Sequence, residues 1–126
     1  MALRRLVTVI DDDESVRRSL PILLRQLGFA ACAFSSANEF LTSDAVADSS
    51  CLILDVKMPE MSGPDLQQEL KRRRRALPII FVTASPDESI RQPLLKRGAV
   101  ECLFKPFSET ALSEAIDAAL ETGTHR

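Results

Sequence analysis

Apolar and polar positions form two kinds of segment along this chain. Five short apolar runs stand at Leu6–Ile10, Ala30–Phe34, Cys51–Leu54, Ile79–Thr83 and Val100–Phe104, and an amphipathic segment follows each of them. This alternation is typical of a parallel sheet with crossover helices. The third and fourth runs are almost continuously apolar, as in strands that helices cover on both faces. The pattern predicts one α/β domain over residues 1–126, with five strands and five helices.

Two of the predicted helices contain a proline. The first runs from about Glu14 to Leu27 and includes Pro21, so we expect a kink near residues 17–21, because proline removes a backbone hydrogen bond and crowds the preceding turn. The fourth, from about Asp87 to Arg97, includes Pro93, and we expect its first turn to be loose or separate. The other three helices are expected to begin near Ser36, at Gly63-Pro64 and at Ser108.

The charge balance limits the class of partner. The chain has 16 basic and 18 acidic residues and a formal net charge of −2, which argues against direct nucleic-acid binding through bulk charge. The run Arg72–Arg75 is interpreted as a solvated helix end, where cations offset the helix dipole. A contact with nucleic acid or with an acidic partner remains open as its alternative.

The cysteines and the lengths of the apolar runs indicate where in the cell the protein is located. Cys32, Cys51 and Cys102 lack metal-ligand spacing and adjoin apolar runs, which favours buried, reduced thiols in a cytoplasmic protein. No apolar run has the length of a signal-peptide core or a membrane span. We therefore expect a soluble cytoplasmic protein that has no membrane partner.

Reactive side chains stand where the predicted strands end. Asp11 and Asp12 follow the first apolar run, Asp55 the third, Thr83 ends the fourth and Lys105 follows the fifth. Because ligands bind beyond the carboxyl ends of parallel strands, these side chains are expected to meet in one crevice. Three adjacent carboxylates repel one another, and a hard divalent cation such as Mg²⁺ relieves that repulsion while leaving coordination positions open for phosphate.

Each side chain suits one role in phosphoryl chemistry. Aspartate carboxylates are nucleophiles toward phosphorus, which makes Asp55 the candidate acceptor. Lys105 would pair with Asp55 and then with the phosphoryl group, and Thr83 would donate a hydrogen bond to it. The backbone carbonyl of Lys57 is a further candidate metal ligand. Each feature alone has a commoner interpretation, such as a solvated helix start for Asp11–Glu14, so only their joint placement indicates a site.

Five segments together match one known pattern. They are Val9–Glu14, Leu54–Gly63, Val82–Ala84, Gly98–Val100 and Phe104–Phe107. On these segments the whole chain resembles the receiver domain of bacterial-type two-component response regulators. Among them it is most similar to regulators whose receivers precede a helix-turn-helix output domain.

The resemblance implies a fold and a reaction. It implies a doubly wound five-stranded sheet of order 2-1-3-4-5, flanked by five helices as in flavodoxin-like proteins, and a cis Lys105–Pro106 peptide. It implies that Asp55 accepts a phosphoryl group from a phosphohistidine of a sensor histidine kinase, with Mg²⁺ bound by Asp11, Asp12 and Asp55. The domain would be a signalling module that promotes its own phosphotransfer and slow dephosphorylation, not an enzyme acting on other substrates.

The resemblance also implies an output. Phosphorylation would draw Thr83 inward and shift the fourth helix, fifth strand and fifth helix. An output domain, a downstream protein or a second copy in a phosphorylation-linked homodimer would then bind that face. Cys102 departs from the family, whose members usually carry an aromatic there, and a small thiol cannot bury a comparable area. Phe104 is expected to pack in the sheet rather than to replace that aromatic.

Three other functions match part of the same pattern. A degenerate receiver that serves as a static interaction domain is favoured by Cys102 and opposed by the intact acid set. An aspartate-nucleophile phosphohydrolase would want its nucleophile and acid/base two residues apart, where Asp55 is followed by Lys57. A flavin-binding module is opposed by the acidic crevice, which would repel a flavin phosphate.

Overall fold

Five parallel strands form the centre of the molecule. The structure, a computed structural model, describes residues 4–85 and 87–124. The hydrogen-bonded order is β2-β1-β3-β4-β5, as predicted. Relative to the predicted strands, the third extends by one residue and the fifth begins one residue later. The strands are β1 (Leu6–Ile10), β2 (Ala30–Phe34), β3 (Cys51–Asp55), β4 (Ile79–Thr83) and β5 (Glu101–Phe104).

Six helices lie in the described part of the chain, where we predicted five. They are α1 (Glu14–Gln26), α2 (Ala37–Leu41), α3 (Ala45–Asp48), α4 (Gly63–Arg72), α5 (Glu88–Lys96) and α6 (Glu109–Thr124). The additional helix arises because the segment between β2 and β3 is interrupted by hydroxyl side chains. Ser43 Oγ donates to the carbonyl of Phe40 and accepts the N–H of Ala45, and such local bonds compete with helix continuation.

The two prolines lie inside unbroken helices. Helix α1 continues through Pro21, and the bend expected there stays a prediction. The separate first turn expected before Pro93 is wrong, since α5 is continuous from Glu88. The reason is its cap: the side chain of Asp87 accepts the N–H and the hydroxyl of Ser89 at 2.9 and 2.8 Å, which fixes the first turn.

Alternating strand residues divide the core into two layers. Leu54 and Phe81 point to the layer covered by α2 to α5, where they pack with Leu66 and Leu94. Their chain neighbours, Ile53 among them, point to the layer covered by α1 and α6. With both faces covered, the carboxyl edge of the sheet is the place where polar side chains gather. No helix within the described ranges is long and apolar enough to cross a bilayer.

Candidate functional site

Backbone pairing brings the predicted site residues to one edge of the sheet. Asp11 directly follows β1, and Asp55 is the last residue of β3, where it pairs with Val82 of β4. Thr83 ends β4, and its carbonyl accepts the N–H of Lys105 at 2.8 Å. The ladder therefore fixes all four positions at the carboxyl edge. The Lys105–Pro106 peptide is cis, as the resemblance implied.

Lys105 reaches across the sheet to the acidic residues. Its Nζ lies 2.9 Å from Asp11 Oδ2 and 4.0 Å from Asp55 Oδ1. The ammonium thus makes a direct hydrogen bond with Asp11 and a longer ion pair with Asp55. Asp11 is only 1% exposed, so the bond to Lys105 lies inside the pocket and is shielded from screening by salt.

The surroundings of Asp55 oppose its negative charge. Burial is the largest cause, followed by the charge of Asp11, while Lys105 acts in the opposite sense and a hydrogen bond with Asp12 adds to the rise. Together they raise the pKa of Asp55 to about 7. The carboxyl is therefore about half protonated near neutral pH unless positive charge enters the pocket.

Lys105 remains a cation. Burial disfavours its charge, but the hydrogen bond that Lys105 donates to Asp11 and the charges of Asp11 and Asp55 outweigh burial and raise the pKa of the ammonium. The pocket thus holds one fixed positive charge against three carboxyl groups. The pocket therefore carries an excess of negative charge, which a bound cation would offset.

The three acids are close enough to share a metal ion. One carboxylate oxygen from each of Asp11, Asp12 and Asp55 lies within 4.8 Å of the others. Asp11 and Asp55 are buried and Asp12 is exposed, so the pocket is closed below and open to solvent at Asp12. Carboxylate oxygens in an open arrangement suit Mg²⁺, which retains several waters and binds few protein ligands. The residues present therefore fit the predicted ion.

Asp13 and Glu14 take no part in this cluster. Asp13 caps α1, and its side chain accepts the N–H and the hydroxyl of Ser15, both at 2.9 Å. These bonds lower the pKa of Asp13. Glu14 pairs with Arg18 at 2.8 Å on the exposed side of α1. The acid run therefore has both functions that its sequence allows: Asp11 and Asp12 line the pocket, and Asp13 caps the helix.

Thr83 and Lys57 lie beside the acids without a direct contact among the described interactions. Thr83 is 2% exposed, and its Oγ1 accepts the N–H of Ser85 at 3.1 Å. Lys57 follows two residues after Asp55, with an exposed side chain. The roles of the Thr83 hydroxyl and the Lys57 carbonyl stay predictions.

Gly63 is a site residue that the sequence identified only as a helix start. Its N–H donates to the carbonyl of Val56 at 3.0 Å. A Cβ at this position would overlap the carbonyl oxygen of Asp55 and lie 2.9 Å from Phe81 Cε1. The first turn of α4 therefore packs against the backbone of Asp55, and only glycine permits this approach. The serine-glycine-proline sequence was the available signal.

The face formed by α5 and β5 carries a second ion pair. Arg91 Nη2 lies 2.7 Å from Glu101 Oε1, and the same oxygen accepts the N–H of Cys102 at 2.9 Å. Cys102 is 3% exposed, and its burial raises the pKa of the thiol. Phe104 is half-buried and packs on the same core layer, as expected. This side of the molecule thus contains an anchored helix and a small, buried side chain.

Comparison with known proteins agrees with the geometry. A family model of the response regulator receiver domain matches residues 7–117. Nodulation protein W of Bradyrhizobium diazoefficiens is 43% identical over 123 residues, which are 98% of this chain and 54% of that protein. Response regulator protein TodT of Pseudomonas putida is 43% identical over 115 residues, 91% of this chain and 51% of that protein. The chain spans about half the length of the curated relatives it matches.

A solved structure is similar throughout. The structure of the response regulator StyR aligns with a TM-score of 0.87 and 41% sequence identity, over 96% of this chain and 61% of StyR. The doubly wound, flavodoxin-like arrangement predicted from sequence is therefore confirmed both by the strand order and by this similarity. StyR is longer than the present chain, since the alignment covers 61% of it.

Proposed function

This chain belongs to the receiver-domain family of two-component response regulators, and we propose that it is a phospho-accepting signalling switch in which Asp55 is the acceptor. The observation that carries the proposal is the pocket itself. A buried carboxyl at a strand end lies close to two other acids, and a lysine ammonium lies 4.0 Å from it. A structural aspartate would need neither the neighbouring acids nor the ammonium.

The proposed donor is a phosphohistidine of a sensor histidine kinase. An oxygen of the ionised Asp55 carboxylate attacks phosphorus, the new O–P bond forms, and the P–N bond breaks. The bonding electron pair leaves with the imidazole nitrogen, and the product on this chain is an aspartyl phosphate. Only the ionised carboxylate attacks, and a pKa of about 7 leaves about half of Asp55 ionised near neutral pH. Positive charge in the pocket would increase that ionised fraction.

We propose that Mg²⁺ is held by Asp11, Asp12, Asp55 and the backbone carbonyl of Lys57. When bound, the ion supplies positive charge that offsets the repulsion among the carboxylates and the charge on the phosphoryl oxygens. Asp11 is held in place for this role by two bonds. Its Oδ2 accepts from Lys105 and its Oδ1 accepts the N–H of Asp13 at 2.9 Å.

Lys105 and Thr83 would bind the transferred group. Before transfer the ammonium lies nearer to Asp11 than to Asp55, at 2.9 against 4.0 Å, so a small movement brings it to a phosphoryl oxygen. The hydroxyl of Thr83 accepts a bond from Ser85, and its own hydrogen remains available to donate. Donation to the phosphoryl group would draw Thr83 inward.

An apolar groove beside the pocket is a suitable docking surface for the kinase. The groove encloses about 400 Å³ between α1 and the segment after β5, and it extends to Lys105. It is lined mainly by apolar side chains, including Val16, Leu20, Leu23 and Phe107. A helix bound there would place a histidine side chain close to Asp55.

We propose that the α5, β5 and α6 face transmits the signal. An output domain, a downstream protein or a second copy of the chain would bind it after phosphorylation. We propose no membrane contact and no direct nucleic-acid contact for this domain, and a cytoplasmic location remains a prediction. A static receiver is the alternative, which the buried thiol of Cys102 favours because it removes the usual aromatic switch.

Incubation with acetyl phosphate and Mg²⁺ tests the chemistry. Intact-mass spectrometry of the wild-type chain is expected to show one added phosphoryl group, stable in acid and lost in base, and none without Mg²⁺. Asp55→Asn is expected to abolish the addition. Asp44→Asn is the matched control, because this aspartate is exposed and its side chain makes no capping bond. An unmodified wild type would favour the static receiver, and a modified Asp55→Asn would refute the assignment.

A further inference from the structure

A basic groove lies at the edge of the sheet opposite to Asp55. It encloses about 270 Å³ between the ends of α4 and α5 and the beginnings of β4 and β5. A five-residue strand is about 17 Å long, so this groove is separated from the pocket by the length of the sheet. We define it by its floor and its rim. The floor is formed by Leu70, Leu77, Pro78, Ile79 and Val100, and the rim carries Lys71, Arg75 and Arg97.

Among the residues that the structure describes, two rim arginines have no carboxylate partner. Within residues 4–85 and 87–124, neither Arg75 nor Arg97 has a carboxylate partner within ion-pair distance. Lys71 Nζ donates to the carbonyl of Arg97 at 2.9 Å, which holds the two sides of the groove together. An ammonium has three donors, so the remaining hydrogens of Lys71 stay available to a ligand.

Two neighbouring arginines share one carboxylate partner. Arg72 and Arg73 lie 2.6 and 2.7 Å from the same oxygen of Glu69. These bonds lower the pKa of Glu69 to about 2. In the cation run that ends α4, Arg72 and Arg73 therefore share the single negative charge of Glu69. Lys71 and Arg75, which line the groove, have no ion pair with a carboxylate within residues 4–85 and 87–124.

We propose that the basic groove binds an extended acidic segment of a partner protein, in which carboxylate side chains alternate with apolar ones. The rim complements carboxylates, and the apolar floor accepts a side chain that lies between them. Nucleic acid suits the groove less well, since phosphate binding needs extended cationic surface and gains little from a narrow apolar floor.

Fluorescence anisotropy with a labelled peptide tests the proposal. The probe is a short peptide that alternates glutamate with leucine, and a peptide with lysine in place of glutamate is the control. Binding of the acidic probe only, weakening with salt, is the expected result. The Asp55→Asn chain is expected to bind equally well, which separates this groove from the phosphorylation chemistry. Failure of the wild-type chain to bind the acidic probe would overturn the proposal.

Variants locate the site. Arg75→Ala with Arg97→Ala is expected to weaken binding about tenfold, because two exposed ion pairs are lost. Arg4→Ala with Arg5→Ala removes the same charge from exposed positions before β1 and is expected to change binding less than about twofold. Leu77→Ala tests the floor and is expected to weaken binding severalfold without unfolding, as judged by thermal melting. If both double variants lost peptide affinity equally, the probe would not bind specifically in the basic groove.

A duplex DNA fragment is the competing ligand. We expect no displacement of the peptide by DNA at physiological salt. If DNA displaced the peptide and this displacement required Arg75 and Arg97, the ligand of the groove would be nucleic acid and the proposal of an acidic peptide would be wrong.

Discussion

Asp55 is held in an environment that stabilises its protonated form. In the unfolded chain its pKa takes the ordinary value of 3.8, and in the fold it rises to about 7, chiefly through burial and the charge of Asp11. Between those values the folded state binds more protons at this group than the unfolded state does. The contribution of Asp55 to stability therefore falls as pH rises through this window. The residue proposed for chemistry thus lowers the stability of the fold.

Removing the charge is expected to stabilise the chain. In metal-free buffer at pH 8, Asp55→Asn should raise the free energy of unfolding by about 1–3 kcal/mol, and the gain should shrink toward pH 4. At pH 8, Mg²⁺ should reduce the difference in free energy of unfolding between the variant and the wild type, because the ion stabilises the wild-type carboxylates. Urea denaturation at both pH values, with and without Mg²⁺, measures this. A gain that does not depend on pH would contradict the electrostatic explanation.

Gly63 determines how closely α4 approaches the acceptor. Gly63→Ala is expected to destabilise the fold by about 2 kcal/mol, because its Cβ would overlap the Asp55 carbonyl oxygen and force the backbone apart. The rate of phosphorylation by acetyl phosphate should fall as well. Denaturation and intact-mass kinetics measure the two effects.

Gly28→Ala is the matched control for that variant. Gly28 has a φ of 102° and open space around its Cβ position, so alanine strains the backbone without displacing a neighbour. We expect lost stability with an unchanged phosphorylation rate. Equal rates in the two variants would show that the approach of Gly63 does not matter to the pocket.

At the scale of elements, α5 has few buried attachments to the core. Leu94 is its one buried residue among those the structure describes. Pro93 removes a helical hydrogen bond, and the Arg91–Glu101 pair at 2.7 Å fastens the helix to β5. A helix held in this way can change position at small cost, which is what the proposed signal requires.

Breaking that pair is expected to loosen α5. Glu101→Gln should increase hydrogen exchange at the α5 amides severalfold, while global stability falls by less than about 1 kcal/mol, because the pair is partly exposed. Glu88→Gln is the control, since Glu88 lies 3.7 Å from Arg91 and is mostly exposed. Unchanged exchange in Glu101→Gln would mean that packing alone positions α5.

Periodicity and strand-end chemistry predicted the elements and the pocket, but not the contacts between side chains. The order of the strands brought Asp11, Asp55 and Lys105 together as predicted. The division into α2 and α3 was missed, because it depends on hydroxyl groups that bond locally. The Arg91–Glu101 pair and the approach of Gly63 to Asp55 were also missed, since each joins residues that only the tertiary structure makes neighbours. The prediction of a loose or separate first turn before Pro93 was wrong because the Asp87 cap stabilises that helix.

At the scale of the whole molecule, two clusters of charged side chains lie at opposite edges of the sheet. Carboxylates gather at one edge of the sheet with Asp55, and the cations of the basic groove lie at the other. The proposed switch face lies between them on α5, β5 and α6. Phosphoryl transfer and the proposed peptide binding therefore occupy different surfaces, so each can fail experimentally without the other.

Phosphorylation is expected to change the oligomeric state of the chain. We expect the acetyl phosphate-treated wild type to shift from monomer toward dimer in size-exclusion chromatography with light scattering. Asp55→Asn should remain monomeric under the same treatment. A fully phosphorylated chain that stays monomeric at all concentrations would remove the homodimer from the proposal, leaving an output domain or a separate protein as the partner.

Locating the phosphoryl group is the most direct test of Asp55 as the acceptor. After treatment with acetyl phosphate and Mg²⁺, borohydride reduces an acyl phosphate to an alcohol, which converts the modified aspartate to homoserine. Peptide mass spectrometry then identifies the converted position. We expect homoserine at position 55 and at no other aspartate. Conversion at position 11, at position 12 or elsewhere, with position 55 unchanged, would contradict the assignment.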